Sequence, residues 1–430
     1  MIQINRRLKA LEEAGKVIRI GLLGAGQMGR GLANQLSMMK GMEASVIIDL
    51  NLELAVKAFL GAGIPEDNIK KADSLSHANT LLESGKYVYS DNPEIVSAAN
   101  LVDVAIDATG VPDVGAAMAW DAIKNKKHVV MLNVETDVVI GPLLKKAADE
   151  AGVIYTGSAG DEPGAVMELY DFADALGFEI RAMGKGKNNT VVAGCTPDSV
   201  REEAMNRGVS PRMLCSFKDG TKTMVELAAM SNATGLLPDV LGCHAPTSSL
   251  KDLPKVLSLK EEGGILNKYG ALEFINGIAP GVFVMVSSES DELRYQLKYH
   301  SMGDGPNYIL YRPYHLCNIE TPLSAARAYL DHTPTIVPLG GLVSDIITYA
   351  KKDLKSGEYL DYIGGFTVYG KIASYKEAVK MNALPVGLIN SKTKVLKDIK
   401  AGELLTLDSV TLDDNSDVVR MRRKQDSLSF

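Results

Sequence analysis

Two lysines stand two residues apart, Lys185 and Lys187, in the stretch MGKGKNNT, with Asn188 and Asn189 behind them. An ammonium withdrawn from water can act as general acid or base toward a carbinol or carbonyl oxygen, and neighbouring amides can donate to the same oxygen. The strand-like FEIRAM is expected to deliver both lysines to a loop at its end. Their i, i+2 spacing lets them reach one pocket if the backbone is extended, and Gly184 and Gly186 permit unusual backbone angles. A flexible charged turn reads the same way. A phosphate loop of the GxxxxGK[ST] kind does not, since neither the spacing nor a following helix is in register.

A phosphate grip is expected much earlier. GLLGAGQMGRG holds GxGxxG at Gly24, Gly26 and Gly29, directly after a strand and at the start of a helix. The first glycine permits the tight turn, the second lets backbone approach a pyrophosphate, and the third lets helix and strand pack closely. Gln27 and Met28 complete the turn. Asp49 ends the next strand, twenty residues after Gly29, where an acid would hold a ribose 2′-hydroxyl. The bland alternative is a glycine turn that binds nothing. A carboxylate at position 49 repels a 2′-phosphate and Leu50 offers no cation, so the pattern favours NAD over NADP. In DATGVP, Thr109 and Gly110 end another strand and either border the cofactor or form an ordinary strand–helix turn.

Other candidates carry two readings each. Asp161 and Glu162 precede Pro163 as acid/base groups or metal ligands, which keeps a divalent metal open, or as acids favouring the start of a helix. Glu162 suits the cap better and Asp161 the site. Glu135 and Asp137 face the nicotinamide crevice or cap a helix beginning near Gly141. Asn232 in SNATGL orients a substrate hydroxyl or closes a helix before Gly235. His300 and His315 suit proton transfer near neutral pH and Arg312 suits a carboxylate or phosphate, against purely structural roles. Cys243-His244 lacks the spaced partners of a metal site.

Elements that would position these groups follow from pattern. Strand-like VIRIGLL, EASVIID, LVDVAIDAT, KHVVML and GVIYT alternate with helical stretches, which implies βαβ units and a doubly wound parallel sheet, Rossmann-type α/β. Residues 1–156 form this dinucleotide-binding domain. A separate α+β domain follows over 157–319, the part that the likeness described below makes the catalytic, substrate and dimerisation domain. TPLSAARAYL and LVSDIITYAKKDLKSG read as helices in 320–356, and 357–430 reads as a small β-rich module. Ile4, Leu8 and Leu11 give the opening a short amphipathic helix. A length of 430 residues with 46% hydrophobic and 23% charged residues is ordinary for a multidomain globular chain. A formal net charge of −7 argues against a general nucleic-acid binder. Four dispersed cysteines and the absence of a membrane-length apolar run point to a cytoplasmic protein without a membrane partner.

One longer likeness spans nearly the whole chain. KKHVVMLNVETDVVIGPLLKKAADEAGV resembles the end of the nucleotide-binding domain of homoserine dehydrogenases. With GDEPGAVMELYDFADALGF, GKGKNN, SNATGL, YHLCNIETPLSAARA and LDYIGGFTVYG, the chain resembles homoserine-dehydrogenase-like proteins carrying a C-terminal SAF domain, a family that includes deoxyxylulose-phosphate reductoisomerase-like enzymes. The resemblance implies a catalytic domain inserted in the first, helices that return to the nucleotide-binding domain, a terminal SAF module, and a homodimer or homotetramer. It places Asn133 beside the cofactor. Homoserine dehydrogenases follow that asparagine with a catalytic lysine, where this chain has Val134 and then Glu135, so homoserine itself is disfavoured. The reductoisomerase-like members are expected to use NADPH, and Asp49 departs from that. What remains implied is an NAD(P)-dependent oxidoreductase on a small polyhydroxylated carbonyl compound, as a reductoisomerase or a simple dehydrogenase. A non-enzymatic sensor of NAD(H) on the same fold is the alternative.

Overall fold

The computed structural model describes residues 3–428. Two compact units share the chain: the first gathers residues through Gly164, Leu316–Val337 and the segment from Arg420, and the second holds Ala165–His315 and Pro338–Val419.

In the first unit the strands are β1 (Ile18–Leu23), β2 (Met42–Ile48), β3 (Ile69–Lys71), β4 (Tyr87–Ser90), β5 (Val104–Asp107), β6 (His128–Met131) and β7 (Tyr155–Gly157). They form one sheet in the order β3-β4-β2-β1-β5-β6-β7, with every pairing parallel. The chain winds outward to both sides of β1, so the strand order reverses there and opens a crevice at the carboxyl ends of β1 and β5. Parallel strands covered on both faces must be apolar throughout, and in β1 only Arg19 escapes burial. Ile20, Leu22, Ile47 and Ile106 pack with Leu32, Leu36 and Phe59 from the covering helices and with Ala325 and Ala326 from the helix Cys317–Asp331. The opening helix Ile4–Glu13 buries Ile4 and Leu8. β3 and β4, three and four residues long, escape the sequence reading because so few residues show no period.

The helix Val134–Ala151 starts at Val134 rather than near Gly141. Its cap is Asn133, whose side-chain oxygen accepts from the Thr136 amide. Pro142 lies inside it, and a mid-helix proline interrupts the amide ladder. Gln425 fills the gap: its Oε1 accepts from the Leu143 amide and its Nε2 donates to the Val139 carbonyl.

In the second unit β8 (Glu179–Lys187), β9 (Leu237–Pro238), β10 (Ala271–Asn276), β11 (Val282–Ser287) and β12 (Asn307–Arg312) form a mixed sheet in the order β12-β11-β8-β10-β9. β8 is central, parallel to β10 and antiparallel to β11. Lys185 and Lys187 therefore lie within a strand, not on a loop after it. Strand alternation puts both on one side. Gly184 and Gly186 do not take left-handed angles. They relieve crowding: a Cβ at Gly184 would stand 1.7 Å from the Glu273 carbonyl oxygen, and one at Gly186 would stand 2.4 Å from the Ala279 nitrogen.

The stretch LVSDIITYAKKDLKSG is not a helix. Its centre is β13 (Ser344–Ala350), paired antiparallel with β14 (Val368–Ser374) in the second unit. Ile346, Ile347 and Thr348 are β-branched and fully buried, and burial on both faces hides the two-residue period that would have betrayed a strand. TPLSAARAYL is helical as expected, within Cys317–Asp331.

Candidate functional site

In the first unit the glycine turn sits where β1 meets the helix Gln27–Ser37. Gly24 has φ +99°, which an L side chain rarely adopts, and its would-be Cβ stands 3.0 Å from the Ala108 carbonyl. A Cβ at Gly29 would come within 1.9 Å of the Gly24 oxygen, so helix and turn touch backbone to backbone. Gly26 caps the helix, and no atom lies within 4 Å of where its Cβ would be. That leaves open space beside the turn, and the first amides of a helix have no intrahelical acceptor. Gln27 is exposed and Met28 half-buried beside them.

Asp49 lies at the end of β2 and binds the turn directly. Its Oδ2 accepts from the Ala25 amide at 2.7 Å and its Oδ1 from the Asn51 amide at 2.8 Å. The two oxygens keep lone pairs for a ribose hydroxyl, because an ionised carboxylate accepts about four hydrogen bonds. Leu50 is exposed beside it.

Below the β5 and β6 ends is a closed polar circuit. The Asp107 carboxylate, fully buried, accepts from the Thr109 amide (2.8 Å), the Thr109 hydroxyl (2.7 Å) and the Asn133 amide group (2.8 Å). Burial pushes its carboxyl up to about 6, against the pull of the Thr109 and Asn133 bonds. Asn133 also donates to the Val111 carbonyl, so its side chain works inside the protein and not at its surface. Gly110, with φ +65°, and Thr109 remain partly exposed at the edge. Glu135 and Asp137 are both buried in the first turn of the helix that Asn133 caps. Asp137 accepts from the Tyr155 hydroxyl at 2.8 Å, and burial pushes its carboxyl up to about 6.

Asp161 and Glu162 are buried at the end of the sheet-side segment, with Glu162 the first residue of the helix Glu162–Ala175. Three bonds stitch this segment to the helix Cys317–Asp331: Gly160 bridges to Cys317, the Ser158 and Thr321 hydroxyls meet at 2.8 Å, and the Ala159 amide donates to Ser324. The Cys317 thiol lies 3.9 Å from Asp161 Oδ1. A Cβ at Gly31 would stand 2.0 Å from Asn318 Nδ2, so the same helix starts against the one that follows the glycine turn.

In the second unit the Lys185 ammonium pairs with Glu226 from the helix Thr221–Thr234, the side chains being 6% and 1% exposed. Lys187 donates to the Phe217 carbonyl at 2.7 Å, near the end of the helix Pro211–Lys218, where a cation is favoured. A charge withdrawn from water so far must be matched by a partner, and Glu226 is the match for Lys185. Nothing in the sequence reading singled out Glu226. The available cue is a lone carboxylate in the otherwise apolar and small-residue run TMVELAAMSNA.

The remaining candidates are dispersed. Asn232 is fully buried, and its Oδ1 accepts from the amides of Val343 and Ser344 at 2.8 and 3.0 Å, holding the approach to β13. Arg312 is buried, paired with Glu168 at 3.3 Å and stacked on Tyr314. His300 is exposed at the end of the helix Asp291–Tyr299, edge-on to Tyr299, while His315 is half-buried in irregular chain. Asn188 is exposed and accepts from Asn189. A second buried pair, Lys351 with Asp219 at 2.7 Å, was also missed, its partners lying far apart in sequence. Lys351 donates as well to the Gly365 carbonyl at 2.8 Å. Its Nζ lies 3.4 Å from the Cys215 sulfur, whose thiol burial pushes up to about 12.

A parallel sheet with a glycine turn and an acid at its carboxyl edge is a scaffold on which an oxidoreductase can hold a dinucleotide. The chain is an oxidoreductase by class: residues 160–321 match the family model described as oxidoreductase DRL, catalytic domain. No curated protein matches. Among solved structures the chain is similar to a probable dehydrogenase from Thermotoga maritima, at 11% identity and a TM-score of 0.42, covering 75% of this chain and 91% of that one. It is also similar to scyllo-inositol dehydrogenase from Lactobacillus casei, solved with bound NAD(H) and scyllo-inositol (12%, TM-score 0.38, 69% and 76% covered). A myo-inositol dehydrogenase from Corynebacterium glutamicum is similar at 11%, with a TM-score of 0.37 and 73% and 86% covered. Among the described residues no helix is long and apolar enough to cross a membrane.

Proposed function

We propose that this oxidoreductase is NAD(P)-dependent and acts on a small polyhydroxylated carbonyl compound. The observation that carries the cofactor is the turn Gly24–Gly29: Gly26 is open on one side, the helix behind it presents its first amides, and Asp49 closes the turn. The residues fit a dinucleotide, with pyrophosphate over the turn and ribose at Asp49, and Thr109 and Gly110 further along the sheet edge. NAD is favoured over NADP, since the Asp49 carboxylate repels a 2′-phosphate. When bound, the nicotinamide supplies or accepts a hydride. The protein's own contribution is proton transfer and charge stabilisation at the substrate oxygen, which we assign to Lys185 or Lys187, with Asp161 and His315 as further acid/base groups. Substrate contacts are assigned to Glu135, Glu162, Asn188, Asn232, His300 and Arg312, of which Asn232 already spends its oxygen on Val343 and Ser344.

The resemblance to homoserine-dehydrogenase-like proteins with a terminal SAF domain supports a narrower form, a reductoisomerase in which rearrangement precedes hydride transfer with help from a divalent metal or a carboxylate. A plain dehydrogenase of a sugar acid or amino-alcohol is the other form. Absolute dependence of turnover on a divalent metal favours rearrangement, and indifference favours the dehydrogenase. The same resemblance supports a homodimer or homotetramer, measurable by sedimentation, and the four free cysteines support a cytoplasmic setting.

The test is a polyol and sugar-acid screen read by nicotinamide absorbance, with Lys185→Ala and Lys187→Ala beside the wild type. Loss of about 10²–10⁴ in kcat in at least one variant is expected. Full turnover in both removes the lysines from the mechanism, and tighter binding of NADPH than NADH overturns the NAD assignment. Tight NADH binding without turnover of any compound favours a sensor over an enzyme.

A further inference from the structure

We propose that Asp107 is a positioning residue that fastens the two strand–helix turns at the cofactor edge of the parallel sheet, so that cofactor affinity depends on its charged carboxylate. The inference rests on the dinucleotide reading above and concerns a residue that makes no contact with solvent.

Three of the roughly four accepting directions of Asp107 are used to hold a turn. Oδ1 takes both the amide and the hydroxyl of Thr109, and Oδ2 takes the Asn133 amide group. From there the circuit continues. Thr109 Oγ1 accepts from the Val111 amide at 3.3 Å, Asn133 donates to the Val111 carbonyl at 3.0 Å, and Asn133 Oδ1 accepts from the Thr136 amide at 3.2 Å. Thr136 Oγ1 donates to the Pro112 carbonyl at 3.3 Å, which returns to the first turn. The helix Pro112–Lys124 leaves room for this only through Gly115, where a Cβ would stand 2.4 Å from both Asp107 Oδ2 and Thr136 Oγ1 and 2.6 Å from Asn133 Nδ2. All three donors to Asp107 point inward, which suits an ionised carboxylate because it only accepts.

The charged group that acts most on Asp107 does not support its charge. Glu135, from the helix capped by Asn133, repels it, and Tyr155 on β7 is a neutral phenol that donates to Asp137. The three donors therefore favour the charged carboxylate against its burial. A protonated Asp107 presents a donor where Thr109 and Asn133 already donate, so the Thr109 hydroxyl must turn to accept or one donor must withdraw, and the hold on the turns weakens. Linkage makes this reciprocal: a cofactor that favours the fastened turns favours the charged carboxylate, and acid weakens the cofactor.

NADH titrated by fluorescence against the whole protein across about pH 5 to 8 tests this. The wild type is expected to lose affinity as pH falls through about 6. Asp107→Asn is expected to bind about tenfold more weakly at neutral pH and to show no such fall. Thr109→Val, which deletes one donor and keeps the amide, is expected to fold and to move the midpoint of the fall upward. An Asp107→Asn protein with wild-type affinity and profile overturns the inference alone, as does an unmoved midpoint in Thr109→Val if Asp107→Asn cannot be purified. A wild type that binds neither NADH nor NADPH overturns the inference together with the dinucleotide reading.

Discussion

Gly29→Ala isolates what the glycine turn contributes. The added Cβ would stand 1.9 Å from the Gly24 carbonyl oxygen and 2.9 Å from its carbon, both backbone atoms that no rotamer change can move aside. Ordinary contact is about 3.5 Å, so the helix Gln27–Ser37 must retreat by roughly 1.5 Å or the turn must deform by as much. The first amides of that helix retreat with it. A bond from an amide to a charged phosphate contributes about 1.5–3 kcal/mol, and losing one or two amounts to about 3 kcal/mol, or on the order of 100-fold in Kd. Overpacking adds about 1–3 kcal/mol of lost stability. Gly26→Ala separates the two effects, because its Cβ meets no atom within 4 Å: folding stability should stay within about 0.5 kcal/mol while NADH affinity falls comparably. Fluorescence titration with NADH, beside a thermal melt of each variant, reads both quantities. If Gly29→Ala binds NADH within about threefold of the wild type, the helix start is not the phosphate grip and the dinucleotide reading fails with it.

Two further outcomes follow from burial. Lys351→Met should destabilise the second unit by about 3–5 kcal/mol, because Asp219 loses its ammonium in a fully buried setting, and Lys351→Met with Asp219→Asn should regain most of that. Far-UV circular dichroism in urea suits this test, since the only tryptophan, Trp120, lies in the first unit. A single-variant loss below about 1 kcal/mol would show the pair to be inconsequential. His128 is held down to about 4 by burial and by neighbouring His332, while its Nδ1 accepts from the Ile154 amide. Its folded-state value lies below the usual 6.5, so the stability it supports is complete above pH 6.5 and is lost as pH falls toward 4. His128→Asn keeps an acceptor for Ile154 and should melt with a shallower decline over that window by Trp120 fluorescence. A variant whose decline runs parallel to the wild type refutes the assignment.

The parts of this molecule that were legible in its sequence are those set by neighbours in the chain. Gly24, Gly26, Gly29 and Asp49 were readable because a strand, a turn, a helix start and an acid follow one another within a single βαβ unit. The extended spacing of Lys185 and Lys187 was readable too, though their place inside β8 was not, since glycines in MGKGK suggest a turn and in fact relieve crowding by Glu273 and Ala279. β13 was misread because its core faces are both buried and the apolar pattern lost its period. Partners set by tertiary contact stayed hidden: Glu226 for Lys185, Asp219 for Lys351, and the role of Asn133 as a cap and clamp. No local rule links such residues, and only the packing of distant segments brings their charges together.

The insertion of Gln425 beside Pro142 has a consequence for the order in which the chain can be made. The amide of Leu143 and the carbonyl of Val139 are satisfied by a side chain synthesised some hundreds of residues after them. A ribosome delivering the chain from its amino end at about 5–20 residues per second exposes the interrupted helix well before its stopper exists. Until Gln425 arrives, water or the helix's own pairing of Leu143 with Val139 serves these two groups, and the arrangement of the finished first unit waits on translation of the segment from Arg420.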